Sequence, residues 1–259
     1  MDPRRAEVRR STTETKIELA LDLDGTGKAE VQTGIGFLDH MLELFAHHGG
    51  FDLTVHAQGD LDVDGHHTVE DIGLALGQAL RDALGERRGI RRYGSCVLPM
   101  DEALALVAID LSGRPHLQHD LALSGARVGE FDADLTAHFF RSLVNQSGMT
   151  LHIRVLSGDD AHHVVEAVFK GVARALAVAC ERRARAVGAH VEGAIGGNDV
   201  VVARAHADAI DADLRVRDTH ALLEEIDEVV DATNRVIGLV AVHVDNADAQ
   251  PSAIHQQGL

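Results

Sequence analysis

The stretch "HHTVEDIGLALGQAL" at residues 66–80 returns as "HHVVEAVFKGVARAL" at residues 162–176, with His, His and Glu each displaced by 96 positions. Upstream, "FLDHMLELFAHHGGFDLTV" at 37–55 is echoed by "LTAHFFRSLVNQSGMTLHI" at 135–153, which matches His40 with His138 at a displacement of 98. Further upstream, "TETKIELALDLDG" at 13–25 is echoed by "DEALALVAIDLSG" at 101–113 and pairs Glu14 with Glu102. Three matches in one order make residues 1–187 two copies of one unit, with halves of about 1–93 and 94–187. Periodicity gives each unit its elements. Alternation in "KIELALDL" and "KAEVQT", joined by "DGTG", predicts an antiparallel hairpin. A helix over 37–48 follows, closed by Gly49 and Gly50, then a strand over 51–57 and a helix over 66–84 stopped by Gly85. The second half repeats the order: strands in "SCVLP" and "EALALVAIDL", helices near 135–147 and 162–182, and a strand over 149–156. The expected fold class is α+β: a duplicated unit of antiparallel sheet with helices on one face, two pseudo-symmetric halves packed helix to helix in one domain.

Composition limits the function classes. The chain has 259 residues and 45% hydrophobic residues, enough for a sizeable core. A formal charge of −17 argues against non-specific nucleic-acid binding, so any phosphate must be held by a few placed cations. The charged N-terminus lacks a signal peptide's apolar run and no stretch is long and apolar enough to span a bilayer, so the expectation is a cytoplasmic protein with no membrane partner. Cys96 and Cys180 are too few and too far apart for a disulfide framework and read as packing residues of a reducing compartment. All seven Phe, the one Tyr and all three Lys precede residue 187, and thirteen acids face four Arg after it. Residues 188–259 therefore read as an acidic, aromatic-free extension, βαβ-like or partly disordered.

The repeated histidines carry the chemistry. On a helix, His66 and Glu70 are four apart and share a face, whereas His67 points about 100° away. Adjacent histidines do not easily ligate one ion, so each His-His-x-x-Glu serves two centres. With His40 and His138 added, the candidate ligands are His40, His66, His67, Glu70, His138, His162, His163 and Glu166. Six imidazoles and two carboxylates suit a pair of divalent ions such as Zn, Fe, Ni or Mn. One such motif alone would be weak evidence, because histidine pairs also cap helices and sit on solvated faces; its repetition in register is the stronger signal. Glu14 and Glu102 at strand starts, and Arg92 and Arg114 after turns, read equally well as surface residues or as groups for a substrate. A dinuclear metallohydrolase would explain the ligands but not the pattern of Glu14, Arg92 and Arg114.

The segments "TET", "GIGFLDHML", "GDLDVDGHHTVEDIGLALGQAL", "ALGERRGIRRYG", "MDEAL", "DLSGRP" and "HFFRSLVNQSGMTLHIRVLSGDDAHHVVEAVFKGVARAL" together resemble the imidazoleglycerol-phosphate dehydratases of histidine biosynthesis, nearly without gaps from about residue 7 to 180. The resemblance implies a lyase that removes water from imidazoleglycerol phosphate to give imidazole acetol phosphate at two Mn2+ ions. It also implies a duplicated fold like the second domain of ribosomal protein S5, and a homo-oligomer, a cage of twenty-four subunits built from trimers with active sites between subunits. Matched motif by motif, the metal ligands are the eight residues that the repeat selects, and Glu14, His40, His48, Arg92, Arg114 and Lys170 fall on substrate-contact positions. The substrate has no carbonyl beside the C–H to be broken, so its imidazole ring must act as electron sink, with metals favouring charge on the ring and Glu14 as the acid/base group.

One departure stands out. The family closes with a Pro-Ser-Ser/Thr-Lys-Gly motif that grips the phosphate, and the collinear stretch here reads "GAHVEGAIGG". "QPSAIHQQGL" near the end keeps Pro251, Ser252 and Gly258 without the lysine. Either the extension returns Ser252, and with it His255, to the phosphate, or it is an unrelated tail. The second is favoured, since the Pro-Ser match is two residues long. It leaves as the alternative a catalytically impaired metal-binding homologue with an appended interaction module.

Overall fold

The computed structural model describes residues 3–183. Ser252 and the whole extension from 188 onward lie outside the described residues.

The first half holds β1 (Arg5–Ser11), β2 (Thr15–Asp22), β3 (Ala29–Gln32), α1 (Gly36–Gly49), β4 (Asp52–Gly59) and α2 (His66–Leu84). The second holds β5 (Tyr93–Met100), β6 (Ala103–Asp110), β7 (His116–His119), a small β8–β9 pair (Arg127–Val128, Phe131–Asp132), α3 (Leu135–Ser147), β10 (Thr150–Ser157) and α4 (Ala161–Cys180). Each half has a four-stranded sheet, ordered β1-β2-β4-β3 and β5-β6-β10-β7, so the duplication read from the sequence extends to topology. In β2 the residues Thr15, Ile17, Leu19 and Leu21 are buried on one face, and in β6 Ala103, Ala105, Val107 and Ile109 repeat that pattern. This period-2 burial fits one face on the core and one toward water. The helices cover the core face. Helix α2 packs on β1 and β2, and α4 on β5 and β6.

The halves join through their helices, but crosswise: α1 packs on α4 and α2 on α3. The second seam is close because α2 carries glycines one turn apart. A Cβ on Gly73 would stand 2.7 Å from the Phe139 carbonyl oxygen, and one on Gly77 2.5 Å from that of Leu143. At the far side of the seam Phe139, Phe140 and Phe169 stack with ring centroids 4.9–5.2 Å apart.

The expected 16–23/28–33 hairpin does not form. β2 pairs antiparallel with β1 and with β4, and β3 runs parallel to β4 on its other side. The Asp52 carboxylate is the physical reason: it accepts hydrogen bonds from the Thr26 and Lys28 amides at 2.7 and 3.0 Å. This ties the "DGTG" loop to the start of β4 and carries the chain across that strand. β1 has the place that the hairpin reading gave to β3. Its charged sequence "RAEVRRS" buries only Val8 fully, so it shows little alternation to read. Cys96 and Cys180 are free thiols, the latter buried. Among the described residues no helix is long and apolar enough to cross a membrane.

Candidate metal centre and substrate cleft

Both His-His pairs open a helix at the same kind of start. The Asp64 side chain accepts from the His66 amide and the Asp160 side chain from the His162 amide, each at 2.7 Å, so a carboxylate satisfies an otherwise unpaired first-turn donor. The helical spacing then does what the sequence predicts. Nε2 of His66 lies 3.4 Å from Glu70, and Nε2 of His162 lies 3.1 Å from Glu166. The second histidine of each pair turns away, with ring centroids 6.0 Å apart for His66/His67 and 5.9 Å for His162/His163.

Crosswise packing decides which upstream histidine joins which pair. His40, on α1, meets the other half's helix: its Nε2 is 3.8 Å from Glu166. One donor atom each from His40, His162 and Glu166 lies within 4.8 Å of the others, a spacing that one divalent ion could close. His138, on α3, meets His66 with ring centroids 4.8 Å apart. The structure thus builds one three-donor group, His40 with His162 and Glu166, and one pair of contacts, His66 with Glu70 and with His138, each drawn from both halves. His40, His66, His138 and His162 all line a cleft of about 1100 Å³ floored by Phe37 and Phe131.

The donor set is electrostatically prepared for a cation. Burial works against charge on Glu166, whose side chain is 8% exposed, yet Lys170 at 2.5 Å and His162 hold its carboxyl below the ordinary range. His67 donates toward Asp60 through Nδ1 at 3.0 Å, and His163 toward Glu102 at 2.7 Å. Those bonds raise both imidazoles and push the Glu102 carboxyl down to about 2. A histidine held by a carboxylate at Nδ1 keeps Nε2 for a metal. His67 is held in this way at Nδ1, whereas Nε2 of His163 also lies 3.6 Å from Asp101 of its own chain. Asp60 was not selected from the sequence, because Asp60, Asp62 and Asp64 are indistinguishable in "GDLDVDGHH" without the fold.

The pseudo-symmetric carboxylates Glu14 and Glu102 differ in availability. Both oxygens of Glu102 are engaged, by His163 and by the Asp160 amide at 3.1 Å. Among the described residues the Glu14 carboxylate has no hydrogen-bond or ion-pair partner; it sits in the β1–β2 turn close enough to His67 to raise that imidazole.

The remaining candidates divide by position. Lys170 lies one turn beyond Glu166 on α4. Nearby, burial and the charges of Lys170, His47 and Arg174 lower the His48 imidazole. Arg92 and Arg114 are at the opposite end of the molecule. The Arg92 amide donates to the carbonyl of Ala179 at the far end of α4, about 25 Å from His162 at 1.5 Å per residue. Arg92 is also paired with Asp110 at 2.6 and 3.1 Å. The Arg114 carbonyl accepts from Thr150 at the start of β10, the end remote from α4's first turn. One copy of the chain therefore brings His40 to His162 and Glu166, His138 to His66, and Glu14 to His67, but brings the two arginines to none of them.

Comparisons with known proteins show which family the chain is similar to. Residues 33–176 match the family model described as "Imidazoleglycerol-phosphate dehydratase". Among curated relatives carrying that name, one from Geobacter sulfurreducens is 55% identical over 173 residues, spanning 67% of this chain and 89% of the relative. Another, from Azorhizobium caulinodans, is 53% identical over 196 residues, 75% of this chain and all of the relative. Among solved structures, the imidazoleglycerol-phosphate dehydratase of Staphylococcus aureus superposes with a TM-score of 0.63 at 39% identity, covering 69% of this chain and 99% of that one. The enzyme from Pyrococcus furiosus in complex with (S)-C348 gives 0.60 at 40% identity, covering 71% and 98%. With duplicated fold, ligand helices and alignments in agreement, the chain belongs to the imidazoleglycerol-phosphate dehydratase family and is a hydro-lyase (EC 4.2.1.19) of histidine biosynthesis.

Proposed function

We propose that the chain converts D-erythro-imidazoleglycerol phosphate to imidazole acetol phosphate at two Mn2+ ions, in the cytoplasm, in sites completed between subunits of a trimer-based cage. The carrying observation is the meeting of His40 with His162 and Glu166, donors from both halves, on a cleft that His66 and His138 also line. Imidazole nitrogens and carboxylates suit a borderline-to-hard divalent ion, and the three donor atoms of His40, His162 and Glu166 have the spacing to close on one. Bound metal would supply Lewis acidity at the substrate's imidazole ring. The residues do the rest. Glu14, unpaired and beside His67, accepts the proton from the carbon next to the ring-bearing carbinol, and that proton leaves with the hydroxyl of the ring-bearing carbon as water. The resulting enol gives the ketone by a proton shift.

Two features support sites shared between copies. His67 and His163 are held by carboxylates at Nδ1 and stand outside the three-donor group of His40, His162 and Glu166. Arg92 stands about 25 Å from His162 along α4, and Arg114 lies beside the end of β10 remote from α4's first turn, too far for one small phosphate ester to span in a single copy. A second copy would bring its arginines to a phosphate held near Lys170 of the first.

The test is a dehydratase assay with metal analysis on the full-length chain. Chelation should abolish turnover and Mn2+ restore it, with Glu14→Gln retaining metal and losing turnover. Full activity in the metal-free protein, or in Glu14→Gln, would remove the corresponding part of the proposal. The missing terminal lysine favours one competing reading, an impaired metal-binding homologue with an interaction module at 188–259. Metal without turnover in the full chain would support it, and turnover restored on removing the extension would identify the extension as the cause.

A further inference from the structure

The turn that carries Glu14 is held by a buried polar chain that its pseudo-symmetric counterpart lacks. Thr12 Oγ1 accepts from the amides of Glu14 and Thr15 at 3.2 and 2.9 Å, closing the turn. Thr15, 2% exposed, donates its hydroxyl to Asp71 on α2 at 2.5 Å. The other Asp71 oxygen takes Arg10 of β1 at 2.8 Å. Asp71 thus grips both strands that flank the turn, from the residue that follows Glu70.

The second half makes the same joint without any of this. By the repeat displacements of 88 in the strands and 96 in the helix, Arg10, Thr15 and Asp71 correspond to Leu98, Ala103 and Ala167. All three are buried and belong to the hydrophobic core. A buried carboxylate is costly unless fully paired, and well-packed apolar residues often serve stability as well or better. The duplicated fold therefore carries its own control: the joint between first strands and ligand helix closes with apolar residues alone. Where the turn presents the engaged Glu102, those suffice; where it presents the free Glu14, a directional network replaces them.

We infer that Asp71, with Arg10 and Thr15, is a positioning residue for Glu14, fixing the carboxylate relative to the His66, His67 and Glu70 face of α2. Hydrogen bonds are directional where apolar contacts are not, and a carboxylate that must reach one C–H loses rate when its placement slackens by about 1 Å. The inference rests on Glu14 being the acid/base group.

The experiment transplants the second half's solution into the first. In the full-length protein, Arg10→Leu/Thr15→Ala/Asp71→Ala should fold with unaltered assembly and metal content, since the same residues already pack the equivalent joint. It should lower kcat on the order of 10² with KM within about two-fold. Asp71→Asn serves as the milder variant, with a smaller fall in kcat. Combined with Glu14→Gln, the triple substitution should add no further loss, because both act on one group. Wild-type kcat in the folded triple variant overturns the inference while an inactive Glu14→Gln keeps the role of Glu14. Losses that multiply in the combined variant overturn it too, placing Asp71 in another function. An active Glu14→Gln removes the role of Glu14 and the inference with it.

Discussion

Gly77 offers the sharpest test of how the halves meet. It is buried mid-helix in α2, where alanine would ordinarily stabilise by about 1 kcal/mol through helix propensity. Here an added Cβ would lie 2.5 Å from the Leu143 carbonyl oxygen and 2.8 Å from Gln146 Cβ. Ordinary contact begins near 3.4 Å, so the methyl group is short of room by about 0.9 Å. The obstructing oxygen is backbone in the middle of α3, so it cannot swing aside as a side chain would. The seam must open by several tenths of an ångström over at least a turn. Overpacking of this kind costs about 1–3 kcal/mol, and a backbone obstruction belongs at the upper end. After the propensity gain, Gly77→Ala should destabilise by about 1–2 kcal/mol net. Equilibrium urea denaturation followed by circular dichroism reads this as a lower midpoint at unchanged slope. A raised midpoint would mean that propensity is realised and the seam has slack, which refutes the close-packing argument.

Other outcomes follow from particular contacts. Lys170→Met leaves the buried Glu166 carboxylate without its 2.5 Å partner and should destabilise the chelated protein by about 3 kcal/mol, measured by denaturant midpoint. The effect should shrink when Mn2+ is loaded, since a bound cation compensates the same charge. Asp24 is held at about 2, chiefly by its hydrogen bond from Arg4 with Arg182 adding to it, against an ordinary value of 3.8. Because folding lowers this pKa, its stabilisation is present above about pH 4 and is lost as pH falls toward 2; Asp24→Asn should flatten that limb of a stability-versus-pH curve. Asp52→Ala frees the Thr26 and Lys28 amides, and hydrogen exchange should show those two amides losing protection while the α2–α3 seam keeps its own.

Much of the fold was legible because it is written locally. α2 begins at His66 and α4 at Ala161, within a residue of where the helical spacing places them, and β6 alternates without a break. β1 was not legible: as a sheet-edge strand with one fully buried residue it carries no periodic signal. The parallel placement of β3 was equally hidden, because the capture of its preceding loop by Asp52 involves residues 24 to 26 positions away. Asp60 and Asp71 entered the site only through the fold; nothing in "GDLDVDGHH" or "VEDIG" separates a carboxylate that holds a histidine or a turn from one facing water.

The sequence by itself determined the duplication and the family and marked the candidate metal-type donors, since repeats, spacing and residue chemistry are properties of the chain in one dimension. Tertiary structure decided the partnerships. That His40 joins Glu166 rather than Glu70 depends on α1 packing against α4, an interface formed by side-chain shapes that no local pattern encodes. That Glu14 is free while Glu102 is engaged, and that Arg92 and Arg114 lie at the opposite end from the histidines, likewise depends on where the strands and helices end in space. Local periodicity sets which face of an element is apolar; packing energy summed over the whole core sets which faces meet.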